Sequence, residues 1–319
     1  MAVEDRFGPF RILSRLGRGG MGETFVAERV GPAGFAQRVC LKRILTTDGA
    51  DASWTAMFQR EARLVALLHH PNIVKLFDFG QERGKWWMSL ELVEGVDLRQ
   101  ILTASRESST RLPIEAVAFI AAELVKALAH AHARRLPDGT PAGIVHRDVS
   151  PANVLISFDG CVLLTDFGIA KWTHAERTRT GQMKGKAPYI SPEHAMGDPV
   201  DGRADLFALG VVMFELLAGV RPYDGPTDLA TQINAVEGKR RDLRELAPAT
   251  PDALVRIVER LIESRVDRRF GSAWEVLDAL SEIAVPANVV WALGKAVRDA
   301  AAGGPPGELT DVDERTRRR

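Results

Sequence analysis

The chain has 319 residues, and its 42 Lys plus Arg balance its 42 Asp plus Glu, so no net field exists to recruit a nucleic acid or an anionic membrane. With 45% hydrophobic and 26% charged residues it has the composition of a globular protein built from about two lobes of ~150 residues each. Its two cysteines, Cys40 and Cys161, lack zinc or redox spacing, the N-terminus turns charged at once, and the longest apolar runs are broken by Glu123, Lys126 and Glu215; a cytoplasmic protein without a membrane span is the expectation.

Apolar and polar residues alternate over 10–16, the pattern of a strand, and lead into Gly17-Arg18-Gly19-Gly20-Met21-Gly22. Gly-x-Gly-x-x-Gly is a weak signal alone, equally a glycine-rich turn. Residues 24–27 are again apolar, so these glycines join strand to strand, whereas a dinucleotide fingerprint would open a helix. Residues 38–43 form a further strand with Lys42 inside an apolar run, where a lysine is ordinarily solvated along its stem. Glu61 sits in a helical pattern with Met57, Leu64, Val65 and Leu68, a setting that most often means surface charge.

Residues 76–79 and 86–92 flank a polar turn as paired strands. A long helix is expected over 113–133, with Pro113 in its first turn and Ile114, Val117, Ala121, Leu124 and Leu128 on its apolar face. Residues 134–143, with Pro137, Asp138-Gly139 and Pro141, form a turn-rich excursion to which the sequence assigns no role.

The stretch His146-Arg147-Asp148-Val149-Ser150-Pro151-Ala152-Asn153 then places an acid able to take a proton beside a cation, with an amide able to hold a metal five positions later. Thirteen residues past that amide come Asp166, Phe167 and Gly168. Together these motifs resemble the catalytic loop and the metal-binding Asp-Phe-Gly of protein kinases. The resemblance covers roughly residues 10–283. Its pattern is similar to a bacterial subgroup of the Hanks-type serine/threonine kinases, in which His-Arg-Asp-Val-Ser-Pro-x-Asn accompanies Gly-Lys before Tyr-x-Ser-Pro-Glu.

That resemblance implies an α+β, bilobal fold. Residues 10–93 would form an antiparallel-sheet N-lobe with one regulatory helix, and 94–285 a mainly helical C-lobe. Residues 286–319, rich in Ala, Gly and Pro and then in mixed charge, would be a flexible extension. ATP and Mg2+ are the implied cofactors. Leu16, Gly17, Gly19, Gly22, Thr24, Cys40, Lys42, Leu90, Glu91, Val93, Asp97 and Leu155 would surround the nucleotide, with the hinge at 91–95, Leu90 guarding the pocket behind it and Asp97 near the ribose. Glu61 would fix Lys42 against the α- and β-phosphates, Asn153 and Asp166 would hold the metal, and Asp148 would orient the acceptor hydroxyl. Ser191-Pro192-Glu193 would pair through Glu193 with Arg269, and residues 205–210 would begin a buried central helix.

Four positions depart from the family pattern. Ser150 stands where a serine/threonine kinase usually carries lysine, Lys186 replaces a threonine in the same small space and is expected to supply the missing charge, and Thr24 and Cys40 replace valine and alanine. The resemblance further implies autophosphorylation on Thr178 or Thr180, with Arg147 as the partner of the new phosphate, carried out in trans by a homodimer. Protein substrates and ATP are the expected partners, with no nucleic acid and no membrane. The rival reading is a pseudokinase that binds nucleotide and acts through partners. A small-molecule kinase is disfavoured by 191–193 and 205–210, and the lack of an Ala-Ala-Arg stretch favours serine or threonine over tyrosine.

Overall fold

The computed structural model describes residues 6–19, 22–44, 52–108, 111–167 and 187–302, with the side chains of 52–55, 57, 58 and 61 outside that description. The expected bilobal α+β architecture forms. In the N-lobe, β1 (Arg6–Phe7), β2 (Phe10–Gly19), β3 (Gly22–Val30), β4 (Ala36–Ile44), β5 (Leu76–Glu82) and β6 (Lys85–Glu91) make one antiparallel sheet in the order β1-β2-β3-β4-β6-β5. The two-residue period of a strand sends Phe25, Ala27, Val39 and Leu41 to one face, where they pack with Phe7, Phe10 and Trp87. Helix α1 (Ala52–Val65) lies between β4 and β5 in the chain and contacts β5.

A second, three-stranded sheet, β7 (Gly95–Asp97), β8 (Val154–Ser157) and β9 (Val162–Leu164), marks the passage into the C-lobe. Around it lie α2 (Leu98–Ser108), α3 (Ile114–His132), α4 (Pro192–Met196), α5 (Gly202–Ala218), α6 (Asp228–Glu237), α7 (Leu243–Leu246), α8 (Asp252–Leu261), α9 (Ala273–Ser281) and α10 (Val289–Ala302). Helices α3 and α5 are apolar nearly all round and form the centre of the large core. Pro113 caps α3 from outside its first turn, where its missing N–H leaves no orphan donor. Among the described residues no helix is long and apolar enough to cross a membrane.

Residues 289–302, expected to fall within a flexible extension, instead form α10 and pack on α2, α3, β7 and β8. Val289, Leu293 and Val297 recur every four residues and are buried, a stripe that composition alone conceals. The helix meets the β8–β9 turn backbone to backbone: a Cβ on Gly160, whose φ is +87°, would come within 2.1 Å of the Val290 carbonyl oxygen, and one on Gly294 within 2.7 Å of the Phe158 oxygen. Arg298 also donates to the Phe158 carbonyl. Because Leu293 is only 1% exposed, Leu293→Ala should cost ~2–5 kcal/mol in urea denaturation, as core leucine truncations do. A solvated tail would show no change.

Candidate active site

Strand β4 delivers Lys42 to the junction of the lobes, its register opposite Thr24 on β3 and Met88 on β6. Lys42 Nζ meets Asp166 Oδ1 at 2.9 Å, joining residues 124 apart in the chain. Cys40 lies two residues earlier, opposite Val26 and Leu90. Burial, with the Asp166 charge adding to it, pushes the Cys40 thiol up to about 12, so it acts as a small apolar wall and not as a nucleophile. Leu90, Lys42, Met88, Asp166 and Phe167 line a cavity of about 20 Å³. Glu61 falls in α1, but its side chain lies outside the described residues, as do Gly20 and Met21 of the glycine turn.

Gly19 and Gly22 pair across the β2–β3 turn, and Gly17 pairs with Thr24. A Cβ on Gly22 would sit 2.4 Å from the Arg43 carbonyl oxygen, so the strand can pass there only without a side chain, whereas one on Gly17 would meet nothing within 4 Å. Leu16 precedes Gly17 on β2 and is half-buried. The segment linking the lobes contains Glu91 and Val93, both half-buried; Lys75 N donates to the Glu91 carboxylate at 3.3 Å. Asp97 pairs with Leu155 across β7 and β8. Its carboxylate also accepts from Gln100 N at 2.9 Å while its own N–H donates to Gln100 Oε1 at 3.0 Å, a reciprocal cap that starts α2.

The catalytic loop candidate is fixed from beneath by Asp205 on α5. One carboxylate oxygen accepts from His146 N at 2.8 Å and the other from Arg147 N at 2.7 Å. His132 Nε2, at the end of α3, donates to the same carboxylate at 2.8 Å. Burial acts to raise the Asp205 carboxyl, but the hydrogen bond and charge of His132, followed by His146 and the Arg147 amide, hold its pKa below the ordinary value. His132 was invisible in the sequence, because its partner lies 73 residues away.

Above this anchor, Asp148 N donates to His146 Nδ1 at 3.2 Å, which leaves the ring hydrogen on Nε2, 3.0 Å from the Thr165 carbonyl. Asn153 Nδ2 donates to Asp148 O at 2.7 Å, and Thr165 N donates to Asn153 O at 3.0 Å. Asp148, Asn153, Thr165, Asp166 and Lys42 are thus linked contact by contact. The Asn153 side-chain N–H is occupied by the Asp148 carbonyl, so its side-chain oxygen and the Asp166 carboxylate are the hard oxygen donors nearby that could hold a divalent ion. Arg147 and Asp166 both adopt left-handed backbone, at φ 64° and 56°, a conformation that costs energy outside glycine and clusters at functional sites.

Ser150 is buried, and its hydroxyl has no hydrogen-bond partner among the described residues. Gly168, Lys186, Thr178 and Thr180 lie outside them. Farther on, Arg269 forks onto Glu193 with two 2.8 Å bonds and donates to the carbonyls of Glu263, Arg203 and Ser264. Burial alone would raise the Glu193 carboxyl; the hydrogen bonds and charge of Arg269 outweigh it and depress the pKa.

Comparison with known proteins agrees with this geometry. Residues 10–280 match the family described as the protein kinase domain. The tyrosine-protein kinase MasK of Myxococcus xanthus is 36% identical over 275 residues, covering 86% of this chain and 43% of that protein. The serine/threonine-protein kinase PrkC of Bacillus subtilis is 34% identical over 253 residues, covering 79% of this chain and 37% of its own. This chain therefore spans about two fifths of the length of such relatives. The crystal structure of the Mycobacterium tuberculosis PknI kinase domain superposes with a TM-score of 0.66 at 30% identity, covering 88% of this chain and 99% of that one.

Replacing Arg269 by Met leaves Glu193 buried without its cation, so at neutral pH the variant should lose ~3–5 kcal/mol in urea denaturation. The folded pKa of Glu193 lies below its ordinary 4.5, so the stabilisation is full above that pH and is lost as pH falls through the folded value. The gap between variant and wild type should therefore close on acidification, and a gap independent of pH would contradict the ion pair.

Proposed function

Because the chain belongs to the protein kinase domain family, as the match over residues 10–280 shows, we propose that it transfers the γ-phosphoryl group of ATP to serine and threonine hydroxyls of proteins. The observation that carries this reading is the contact chain from Asp148 through Asn153 to Asp166 and Lys42. Phosphoryl transfer asks chiefly for in-line positioning and for fixed charge against the spreading negative charge. Asp148 orients the acceptor hydroxyl and receives its proton. Lys42, fixed by Glu61, takes the α- and β-phosphates, under the backbone of the 17–22 turn. Leu16, Thr24, Cys40, Leu90, Val93 and Leu155 enclose adenine, backbone groups at Glu91 and Val93 bond its edge, and Asp97 reaches the ribose.

Asn153 and Asp166 would hold magnesium, which supplies neutralisation of the phosphate oxygens when bound. Lys186 supplies the charge that Ser150 lacks, and the buried Ser150 hydroxyl, without a hydrogen-bond partner among the described residues, supports that arrangement as a polar atom facing no fixed partner there. The activation segment is phosphorylated on Thr178 or Thr180 by a second copy, giving Arg147 a charged partner. Cytoplasmic residence is in keeping with two free cysteines.

Tyrosine as acceptor is the second reading, favoured by the name of one relative, the tyrosine-protein kinase MasK. Phosphoamino-acid analysis of the product separates the two.

With radiolabelled ATP and a protein acceptor, Asp148→Asn should lower turnover by ~10²–10⁴. Equal transfer by both proteins would remove Asp148 from the reaction, and no transfer by either would favour a nucleotide-binding scaffold. Lys186→Ala should reduce kcat by ~10²–10³ with ATP affinity nearly unchanged, the pattern of a lost transition-state contact. Unaltered turnover would end the compensation idea.

A further inference from the structure

Residues 134–143 fold into a hydrogen-bonded hairpin, with Arg135 bridged to Pro141. Ala142 N donates to Arg134 O at 2.8 Å, Leu136 N to Thr140 O at 2.9 Å, and Arg135 Nη1 to Gly139 O at 2.7 Å. The hairpin forms one wall of a cleft of about 570 Å³ whose other walls are the end of α3, the loop after α1 and the start of α9. His70, Lys126, His130, Arg134, Arg135 and Trp274 line it, none of them in the site described above.

The lining asks for an anion. Arg134 Nε and His130 Nε2 are buried and have no hydrogen-bond partner among the described residues. An unpaired buried polar group is costly, and a side chain that turns into the cleft to meet a bound anion is relieved of that cost. His70 and His130 stand 5.2 Å apart, ring to ring. Burial lowers the pKa of both; His130 then lowers His70 further, and Arg134 and His69 lower His130, while Glu123 opposes this at His70. Glu123, the carboxylate among the described residues that acts on His70, is committed to Lys126 and to Asn72 Nδ2. Arg134 and Arg135, joined by the imidazoles only when these are protonated, therefore dominate the field inside the cleft.

The volume exceeds what a bare ion needs, and Trp274, 60% exposed at the rim, offers an apolar face to a flanking side chain. We propose that this cleft is a docking site for a phosphorylated residue of a protein, the phosphate held by Arg134 and His130 and the flanking peptide by Trp274. Zero net charge across the chain argues against an extended polyanion such as RNA. The kinase reading supplies only the source of such a partner, a phosphorylated protein product; the binding itself requires no catalysis.

The test is fluorescence anisotropy with the full chain and a labelled peptide centred on phosphothreonine, beside the unphosphorylated peptide, inorganic phosphate and an oligoadenylate as competitors. The phosphopeptide should bind about tenfold tighter than its unphosphorylated form and more tightly near pH 6 than near pH 7.5, because the phosphate favours charged imidazoles. Arg134→Ala and His130→Ala should each weaken binding about tenfold, with Arg134→Lys restoring part of it. Phosphorylation of an exogenous substrate, read separately, should be unchanged in these variants, and because anisotropy reads binding alone, an inactive chain that still binds would sink the kinase reading and spare this one. Equal affinity for both peptides, insensitivity to Arg134→Ala, inorganic phosphate competing as well as the phosphopeptide, or oligoadenylate outcompeting it would each overturn the site.

Discussion

The arrangement depends on one buried carboxylate. Asp205 is 1% exposed, and its two oxygens accept from the consecutive backbone amides of His146 and Arg147. A charge so placed is tolerable only where donors replace water around it, and His132 supplies the third. In return the loop is pinned with Arg147 at positive φ, a conformation it would not hold unaided. The His146 ring then fixes both Asp148 N and the Thr165 carbonyl, so a constraint seated in α5 reaches Asp148, the proposed base, and, one residue past Thr165, Asp166.

The second constraint crosses between the lobes. Lys42 sits on an N-lobe strand and Asp166 just past β9, and their 2.9 Å contact draws together the cation and the carboxylate that nucleotide chemistry needs. Thr24 lies opposite Lys42 and Cys40 opposite Leu90 in the strand register, so the two departures at Thr24 and Cys40 alter shape and polarity beside the lysine. On the far side, α10 braces the turn between β8 and β9, tying residues outside the matched domain to the sheet that carries Leu155.

Much of this was legible in the sequence because phosphoryl transfer reads out in linear order. The glycines of 17–22, Asp148 with Asn153, Asp166, and the Glu193–Arg269 pair each carried a local signature, and the fork between the last two formed as expected. Residues whose meaning lies in a distant partner were not legible. His132 showed only as the end of an apolar helix, and Asp97 suggested a ligand contact while its helix-capping role went unseen. Helix α10 was hidden because Ala, Gly and Pro around it weighed as linker, although Val289, Leu293 and Val297 already carried a helical spacing. The 134–143 excursion looked like loop because turn residues mark chain reversals without saying whether the two arms hydrogen-bond to each other.

The account turns on whether Asp205 sets the catalytic loop. Its most direct measurement is kcat together with the ATP dissociation constant for Asp205→Asn, in which one acceptor oxygen must replace two. The account predicts a folded protein whose kcat falls by ~10-fold or more while ATP binding, held largely from the other lobe, changes little. Undiminished turnover in that variant would contradict it.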